Sequence, residues 1–420
     1  MTKPASKSAS RPQQIELSCG AQLAVERIPG VRSVGVSWLI PAGDAFDPET
    51  RLGRAPMLAE LLLRGAAERD SRAQADAYDR AGVSRGVDNG RSYVRASATM
   101  LGERLGDGLN LLAESVLEPR MEPDSVDAAR ELALQALASL PDDPQQRATL
   151  LARSRHHPEP LNRSGYGTAE GLRALTRDEL RDGWSDAAKP RGSIIAIAGD
   201  VEADEAANHL ESLLSSWSGA APWYDRGPAP QRGYAHEQDD SAQVQALIVH
   251  DAPSANDPMC PAAKVLGAVL SGGMSGRLFT EVREKRGLCY SVNASYAAER
   301  DTGTVTAYVG TTPDRAQEAV DVLHDELTGI GRTRPVERDE FDRAVEGLKS
   351  RIVFGGESTS ARAGALAGDI HRLGRARSLE EVTAEIESVT LDGLNDYAAS
   401  RDLGTITVQT LGPTGVNPPA

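Results

Sequence analysis

Three cysteines in 420 residues, Cys19, Cys260 and Cys289, stand far apart and share no C-x-x-C spacing. That usage excludes a disulfide framework and a thiolate metal site, and a reducing cytoplasmic location is expected. No run of 18 apolar residues occurs, so no segment reads as a transmembrane helix. Residues 1–14 are polar and lack the apolar stretch of a signal peptide. They are expected to form a disordered tail. Positive charge is also scarce: 46 basic against 61 acidic residues leave a formal charge of −15. A surplus of that sign repels nucleic acid and anionic membrane, and it is compatible with basic peptides as partners.

What is present is the composition of a folded protein, 40% apolar and 25% charged. The length calls for more than one core. Apolar residues alternate at Ile15 and Leu17, at Leu23 and Val25, and from Val34 through Ile40, with a break at Pro29-Gly30, as in antiparallel strands. Helices are expected over Arg54–Ala66, with Pro56 tolerable in the first turn, and over Ser71–Ala81, Leu101–Leu117, Ser125–Leu140 and Thr176–Trp184. Strands are expected over Arg91–Thr99 and Ser193–Ala198. Residues 218–240 show no apolar periodicity and read as a linker. Beyond it come a strand at Val244–His250, a helix at Pro261–Leu270, strands at Cys289–Ala297 and Gly303–Val309, and helices at Pro313–Leu327, Arg338–Ile352 and Thr359–Leu373.

The two ends of the chain repeat one another. Leu-Thr-Arg-Asp-Glu-Leu (175–180) matches Val-Thr-Leu-Asp-Gly-Leu (389–394), and the Gly-then-strand segment 192–199 matches 404–412, at offsets of 212 to 214 residues. Such a period exceeds any solenoid unit and implies two copies of a whole domain. The expected architecture is α+β: two homologous domains, 15–217 and 241–414, each a mainly antiparallel sheet with helices packed on one face.

The most specific stretch is Arg277–Val292, Arg-Leu-Phe-Thr-Glu-Val-Arg-Glu-Lys-Arg-Gly-Leu-Cys-Tyr-Ser-Val. With Ala42-Gly43-Asp44, the pair Leu62 and Gly65, and Ala198-Gly199-Asp200-Val201, it resembles the insulinase (pitrilysin) family of zinc peptidases over about Ile15–Gly412. The resemblance implies tandem α+β domains of the mitochondrial processing peptidase/insulinase type. It also implies that Arg283 and Tyr290 hold substrate carbonyls and the tetrahedral intermediate, facing a zinc site in the other half. A guanidinium and a phenol are suitable preorganised donors for that task.

The family's zinc helix carries His-x-x-Glu-His, two imidazoles at i and i+4 with a carboxylate base between them. Laid on this chain, that motif becomes Pro56-Met57-Leu58-Ala59-Glu60, and the later ligand falls at Gln135–Leu137, none of which is a carboxylate. No metal ligand and no cofactor are therefore expected in this chain, with zinc in a partner subunit. Other candidates carry less. His156-His157-Pro158 reads as an exposed turn more readily than as a second metal site, and His250 and His371 as packed histidines. Gly272–Gly276 lacks the Lys-Ser/Thr of a phosphate loop. The expected role is the non-catalytic subunit of a heterodimeric zinc endopeptidase, a pseudo-peptidase that supplies Arg283 and Tyr290 to a homologous zinc-bearing partner and acts on unfolded peptides. Two alternatives stand beside it: a structural or peptide-holding subunit, and a self-sufficient hydrolase with an unrelated site.

Overall fold

In the computed structural model, residues 11–228 and 230–419 are described. The expected disordered tail lies outside the described residues up to residue 10. Its last residues, from Gln13, already belong to a strand, because Gln13 and Gln14 pair with Val25 and Ala24. The strands are β1 (Gln13–Glu16), β2 (Gln22–Arg27), β3 (Ser33–Ile40), β4 (Gly65–Ala66), β5 (Arg69–Asp70), β6 (Ser84–Asn89), β7 (Val94–Leu101), β8 (Ile194–Gly199), β9 (Gly233–Gln238), β10 (Val244–Ala252), β11 (Cys289–Ala298), β12 (Gly303–Thr311) and β13 (Thr407–Gly412). The helices are α1 (Arg54–Leu61), α2 (Ser71–Ala81), α3 (Leu105–Leu117), α4 (Pro123–Ala138), α5 (Pro144–His156), α6 (Ala169–Ala174), α7 (Arg177–Ala187), α8 (Ala203–Leu213), α9 (Cys260–Ser271), α10 (Ala316–Gly329), α11 (Arg338–Glu357), α12 (Thr359–Leu373), α13 (Leu379–Glu387) and α14 (Leu391–Ser400).

The two sheets are copies of one plan. In the first, the order is β1-β2-β8-β3-β7-β6; in the second, β9-β13-β10-β12-β11. β8 inserts parallel to β2 and antiparallel to β3, and β13 does the same between β9 and β10. The helix before each inserted strand starts on a threonine cap, Thr176 accepting from Glu179 N–H and Thr390 from Gly393 N–H. Each inserted strand ends on a glycine in the left-handed region, Gly199 at φ 156° and Gly412 at φ 155°. The duplication and the α+β class expected from the sequence are both present.

Each sheet is covered on both faces. On one face of the first sheet, Leu23, Val34, Val36, Trp38, Ile195 and Ile197 pack against Leu58, Leu61, Leu109, Leu112 and Trp184 from α1, α3 and α7. The opposite face is small: Ala24, Ala196 and Ala198, with Ile194, meet Ala363, Leu366, Ala367 and Ile370 of α12. The approach is close enough that a Cβ on Gly35 would lie 2.5 Å from the backbone of Thr359 and Ser360. In the second sheet, Leu247, Val249, Tyr308 and Leu411 take Ala148 and Ala152 of α5. The expectation of helices on one face only is thus corrected. Burial on both faces is what makes β8 read as a continuous apolar run.

These two covering helices change the domain boundaries. The compact units are not contiguous: one comprises residues 1–138, 163–226 and 354–379, the other 139–162, 227–353 and 380–420. A division at 217 and 241 misses the two transferred segments because apolar patterning marks a helix as amphipathic without saying which sheet it covers. The linker expected at 218–240 also contains β9, a half-exposed strand paired in parallel with β13. Further elements not expected from the sequence include β6, α5, α6, α8 and α13. α1 stops at Leu61, four residues before β4 begins, so the expected helix to Ala66 is too long.

Charge as well as apolar packing holds α12 to its sheet. Glu26, fully buried on β2, accepts from Arg362 Nε at 2.7 Å, and Arg362 is itself buried and donates to the Arg377 carbonyl. Arg377 in turn pairs with Asp369 at 2.7 Å. Deleting one partner of such a pair leaves a buried charge uncompensated. Arg362→Ala is expected to cost about 3–5 kcal/mol in the unfolding of the first unit, whereas Glu26→Leu combined with Arg362→Met recovers most of that loss. Urea unfolding followed by tryptophan fluorescence checks both; equal losses in the single and double variants would contradict the assignment.

Candidate functional site

The first helix is placed by its N-terminal loop. Asp47, buried ahead of α1, accepts from Gly53 N–H at 2.8 Å and Ala55 N–H at 3.0 Å, so its carboxylate closes the open end of the helix. Arg163 clamps the same loop by donating to the carbonyls of Asp44, Ala45 and Asp47. Burial pushes the Asp47 carboxyl up to about 7, against the opposing pull of its two N–H donors and Arg54. Pro56 is accommodated as the third helical residue, where an N–H has no partner within the helix.

α1 shows the positions that a zinc helix would use, occupied by other chemistry. Ala59 is buried in the apolar core, and Glu60 lies half-buried with its carboxylate on Arg64 Nε at 2.7 Å. α4 packs beside α1. Gln135 and Ala136 on α4 are exposed and Leu137 is half-buried. Among the described residues no cluster of three or more His, Cys, Asp or Glu is arranged to hold a metal ion. Proline and alanine offer no donor atom, and the one carboxylate is already paired. The residues present do not fit a zinc ion at this place.

Arg283 and Tyr290 lie together in the second unit. Arg277 starts a short helix whose second part, Phe279–Glu284, has the wide π geometry, with Lys285 N–H bonding five residues back to Thr280 O at 2.9 Å. π turns of this kind are frequent at functional sites. The helix is anchored by Arg277, which is buried, donates to Glu340 Oε1 at 2.8 Å and reaches the Arg334 and Pro335 carbonyls. After Gly287 the chain enters β11, and the pairing with β12 slips between Cys289 and Ser291. Tyr290 is the extra residue of that bulge. A bulge redirects one side chain out of the alternation, and Tyr290 is 78% exposed.

The Arg283 guanidinium contacts two rings, 4.7 Å from the centre of Phe279 and 5.1 Å from that of Tyr290. Cation–π contact with two rings restrains the guanidinium. Neighbouring charges are occupied elsewhere, since Glu281 pairs with Lys285 and Arg286. The site therefore presents a guanidinium and a phenol on an exposed edge, held by the π turn and the bulge. The sequence names both residues but not Phe279, whose spacing of four before Arg283 on a helix was the available signal.

The remaining candidates resolve differently. His156 is not in an exposed turn: it ends α5, is fully buried, and places Nδ1 3.0 Å from Thr407 Oγ1 and Nε2 3.3 Å from Asp251 Oδ1. His157 is also buried. The turn expectation fails because the helix before it, α5, was unrecognised. Asp251 also binds Arg232, and these partners hold its carboxyl well below the usual range despite partial burial. His250 is buried, which lowers it to about 4, and His371 packs edge-on against Tyr93 at 4.7 Å, both as expected of packed histidines.

Two tandem α+β domains and the Arg277–Val292 segment define a class of two-domain peptidase-like proteins. Comparison with known families gives the same answer: residues 22–168 match the Insulinase (Peptidase family M16) domain and residues 174–348 the Peptidase M16 inactive domain. The chain belongs to the M16 family as a two-domain member. An uncharacterized zinc protease of Mycobacterium tuberculosis is 28% identical over 402 residues, 93% of this chain and 91% of the relative. One of Streptomyces coelicolor is 27% identical over 395 residues, 91% of this chain and 85% of the relative. Among solved structures, a peptidase M16 inactive domain from Pseudomonas fluorescens superposes with a TM-score of 0.85 at 21% identity, over 97% of this chain and 99% of that one. A chain of Complex III2 from Candida albicans gives a TM-score of 0.79 at 18% identity, over 96% of each. At these identities the structural likeness establishes the fold.

The loop before α1 carries a pH signature. Asp47 titrates near 7 when folded and at about 4 when unfolded. Its folded value is the higher one, so its contribution to stability is complete below pH 4 and is lost as pH rises towards 7. Against Asp47→Asn, the wild-type advantage in melting temperature is expected to shrink between about pH 4 and pH 7 and then level off. An advantage that grows with pH would show the carboxylate to be ionised throughout.

Proposed function

We propose that this chain is the non-catalytic subunit of a heterodimeric zinc endopeptidase, offering Arg283 and Tyr290 to the active site of a homologous zinc-bearing partner. One observation carries the reading. The first helix carries no imidazole, and its one carboxylate in the motif, Glu60, is paired with Arg64, while Arg283 is held against the exposed Tyr290 ring. A guanidinium and a phenol stabilise negative charge developing on a substrate carbonyl, and a scaffold has no need of them. The three free cysteines accord with a reducing cytoplasm. No helix among the described residues is long and apolar enough to cross a membrane.

Unfolded peptides are the substrates in this reading, held by strand addition. β11 is the end strand of its sheet, ten residues without a charge or a proline. β6, the corresponding edge of the first sheet, is shorter and carries Arg85 and Asp88. Charges, prolines and bulges are the usual protection of an edge, and β11 has only the bulge at Tyr290. Glu299 N–H bonds to Thr302 O at 2.7 Å, and these two residues face each other in the continuation of the ladder. Alternation then turns the N–H and C=O groups of Val292, Ala294 and Tyr296 outward.

Alone, the protein is expected to bind no stoichiometric zinc and to cleave nothing. With its partner, cleavage appears, and Arg283→Ala or Tyr290→Phe lowers kcat/KM by about 10²–10³ for the loss of an oxyanion donor. Metal analysis and peptide cleavage by the mixed subunits provide the test. Equal cleavage by both variants removes the in-trans role and leaves a peptide-holding or structural subunit. Ala294→Pro, which removes one outward N–H and leaves the β12 ladder intact, is expected to raise KM with little effect on kcat; an unchanged KM would place the peptide elsewhere.

A further inference from the structure

The segment that carries Arg283 and Tyr290 is held from behind by a buried side chain on the neighbouring strand. The π turn ends at Gly287, whose φ of 61° is the left-handed stop that glycine supplies. Gly287 N–H returns to Arg283 O and Leu288 N–H to Val282 O, each at 3.0 Å. These bonds engage two N–H groups of the turn and leave the Gly287 and Leu288 carbonyls to be placed.

The end of β12 and the residues after it take both. Thr311, the last residue of β12 and fully buried, donates its hydroxyl to Leu288 O at 2.5 Å. Arg315, four residues on, donates from Nη1 to Gly287 O. Thr311 also stands in the ladder opposite Cys289 on β11 and Val244 on β10. One residue therefore fixes two consecutive positions of the adjoining chain, Leu288 through the hydroxyl and Cys289 through the backbone register. The peptide group that joins them is planar, so anchoring the Leu288 oxygen also sets where the Cys289 N–H points. Tyr290 comes next, and the ladder resumes only with Ser291 opposite Gly310.

This anchor is needed because little else specifies the slip. Cys289, Val292, Ala294 and Tyr296 pack on the core, yet no residue of β11 is fully buried. A strand with so little apolar burial has a weakly specified register, and a shift of one residue would turn every side chain to the other face. The bond itself has no ready substitute. Thr311 is flanked by a strand on each side and Leu288 is buried, so losing the hydroxyl strands a carbonyl away from water.

We propose that Thr311 is the positioning residue of the Arg283–Tyr290 pair: its hydroxyl, held on Leu288 O, fixes the bulge that carries the phenol to the guanidinium. It acts through the backbone and touches neither side chain's working edge. The consequence for cleavage rests on the in-trans reading above, whereas the geometric effect belongs to this chain alone.

Three substitutions separate hydroxyl from shape. Thr311→Val keeps the branched outline and removes the donor, Thr311→Ala removes the donor without added apolar bulk, and Thr311→Ser keeps the hydroxyl. With 3-fluorotyrosine at the nine tyrosines of the full chain, the Tyr290 fluorine resonance is identified by its disappearance in Tyr290→Phe, and Arg283→Ala marks its position without the guanidinium. In Thr311→Val and Thr311→Ala the resonance is expected to leave its wild-type position for that of Arg283→Ala; in Thr311→Ser it stays. Circular dichroism identifies the variants as folded. Mixed with the zinc-bearing partner, Thr311→Val lowers kcat by about 10–10² with KM changed less than about twofold, because displaced donors are felt in the transition state, and Thr311→Ser retains wild-type cleavage. A Tyr290 resonance unmoved by loss of the hydroxyl, or moved equally by Thr311→Ser, would overturn the proposal. A displaced resonance together with cleavage that ignores Arg283→Ala leaves Thr311 in its positioning role and removes the in-trans reading instead.

Discussion

A sheet whose strands are apolar on both faces must be covered twice, and the rest of this structure follows from how the second cover is supplied. In the first unit the cover is α12, drawn from more than 300 residues downstream of β2: Glu26 and Arg362, which join them, are separated by 336 positions. In the second unit it is α5, drawn from the first half of the chain. Both contacts rely on small side chains, alanines on α12 and α5. A contact of such sequence separation bears a loop-closure cost before it returns any stabilisation. The buried Glu26–Arg362 pair specifies which helix docks and in what register, since an uncompensated charge penalises every other arrangement.

Much of this was legible beforehand. β3, α2, α9, β11 and α12 announce themselves by period, caps and flanking glycines, and Ser71–Ala81 and Thr359–Leu373 carry their boundaries in the letters. The repeat was readable because a threonine cap and a glycine stop are local requirements that survive divergence. α5 was not readable. Its buried residues are alanines and a histidine among arginines and glutamines, too weak a stripe to register as a face. β9 escaped for a similar reason: an edge strand with half-exposed residues has no strong alternation to show. Missing α5 also misplaced His156, whose burial comes from the packing of a helix that the periodicity does not reveal.

The same distinction applies to the site. Arg283 and Tyr290 could be chosen from the letters as candidates, but the geometry that brings them together could not. A π turn and a bulge are departures from regular period, and each moves a side chain where strict alternation or a regular helix would not put it. Phe279 completes the arrangement by placing a second ring on the guanidinium. Exposure is an essential part of it. A tyrosine at a strand start would ordinarily turn into the core, and the bulge is the local device that prevents this.

The first helix shows the complementary case. Its position is maintained by the Asp47 cap and the Arg163 clamp, neither of which needs a metal. With the helix end satisfied by protein groups, Pro56, a buried Ala59 and a Glu60 paired with Arg64 are accommodated without any ligand. A helix that depended on its metal for stability would not tolerate this, because ligand loss would remove folding free energy as well as chemistry. The helix position is thus set by protein groups alone, independently of the side chains at Pro56, Ala59 and Glu60.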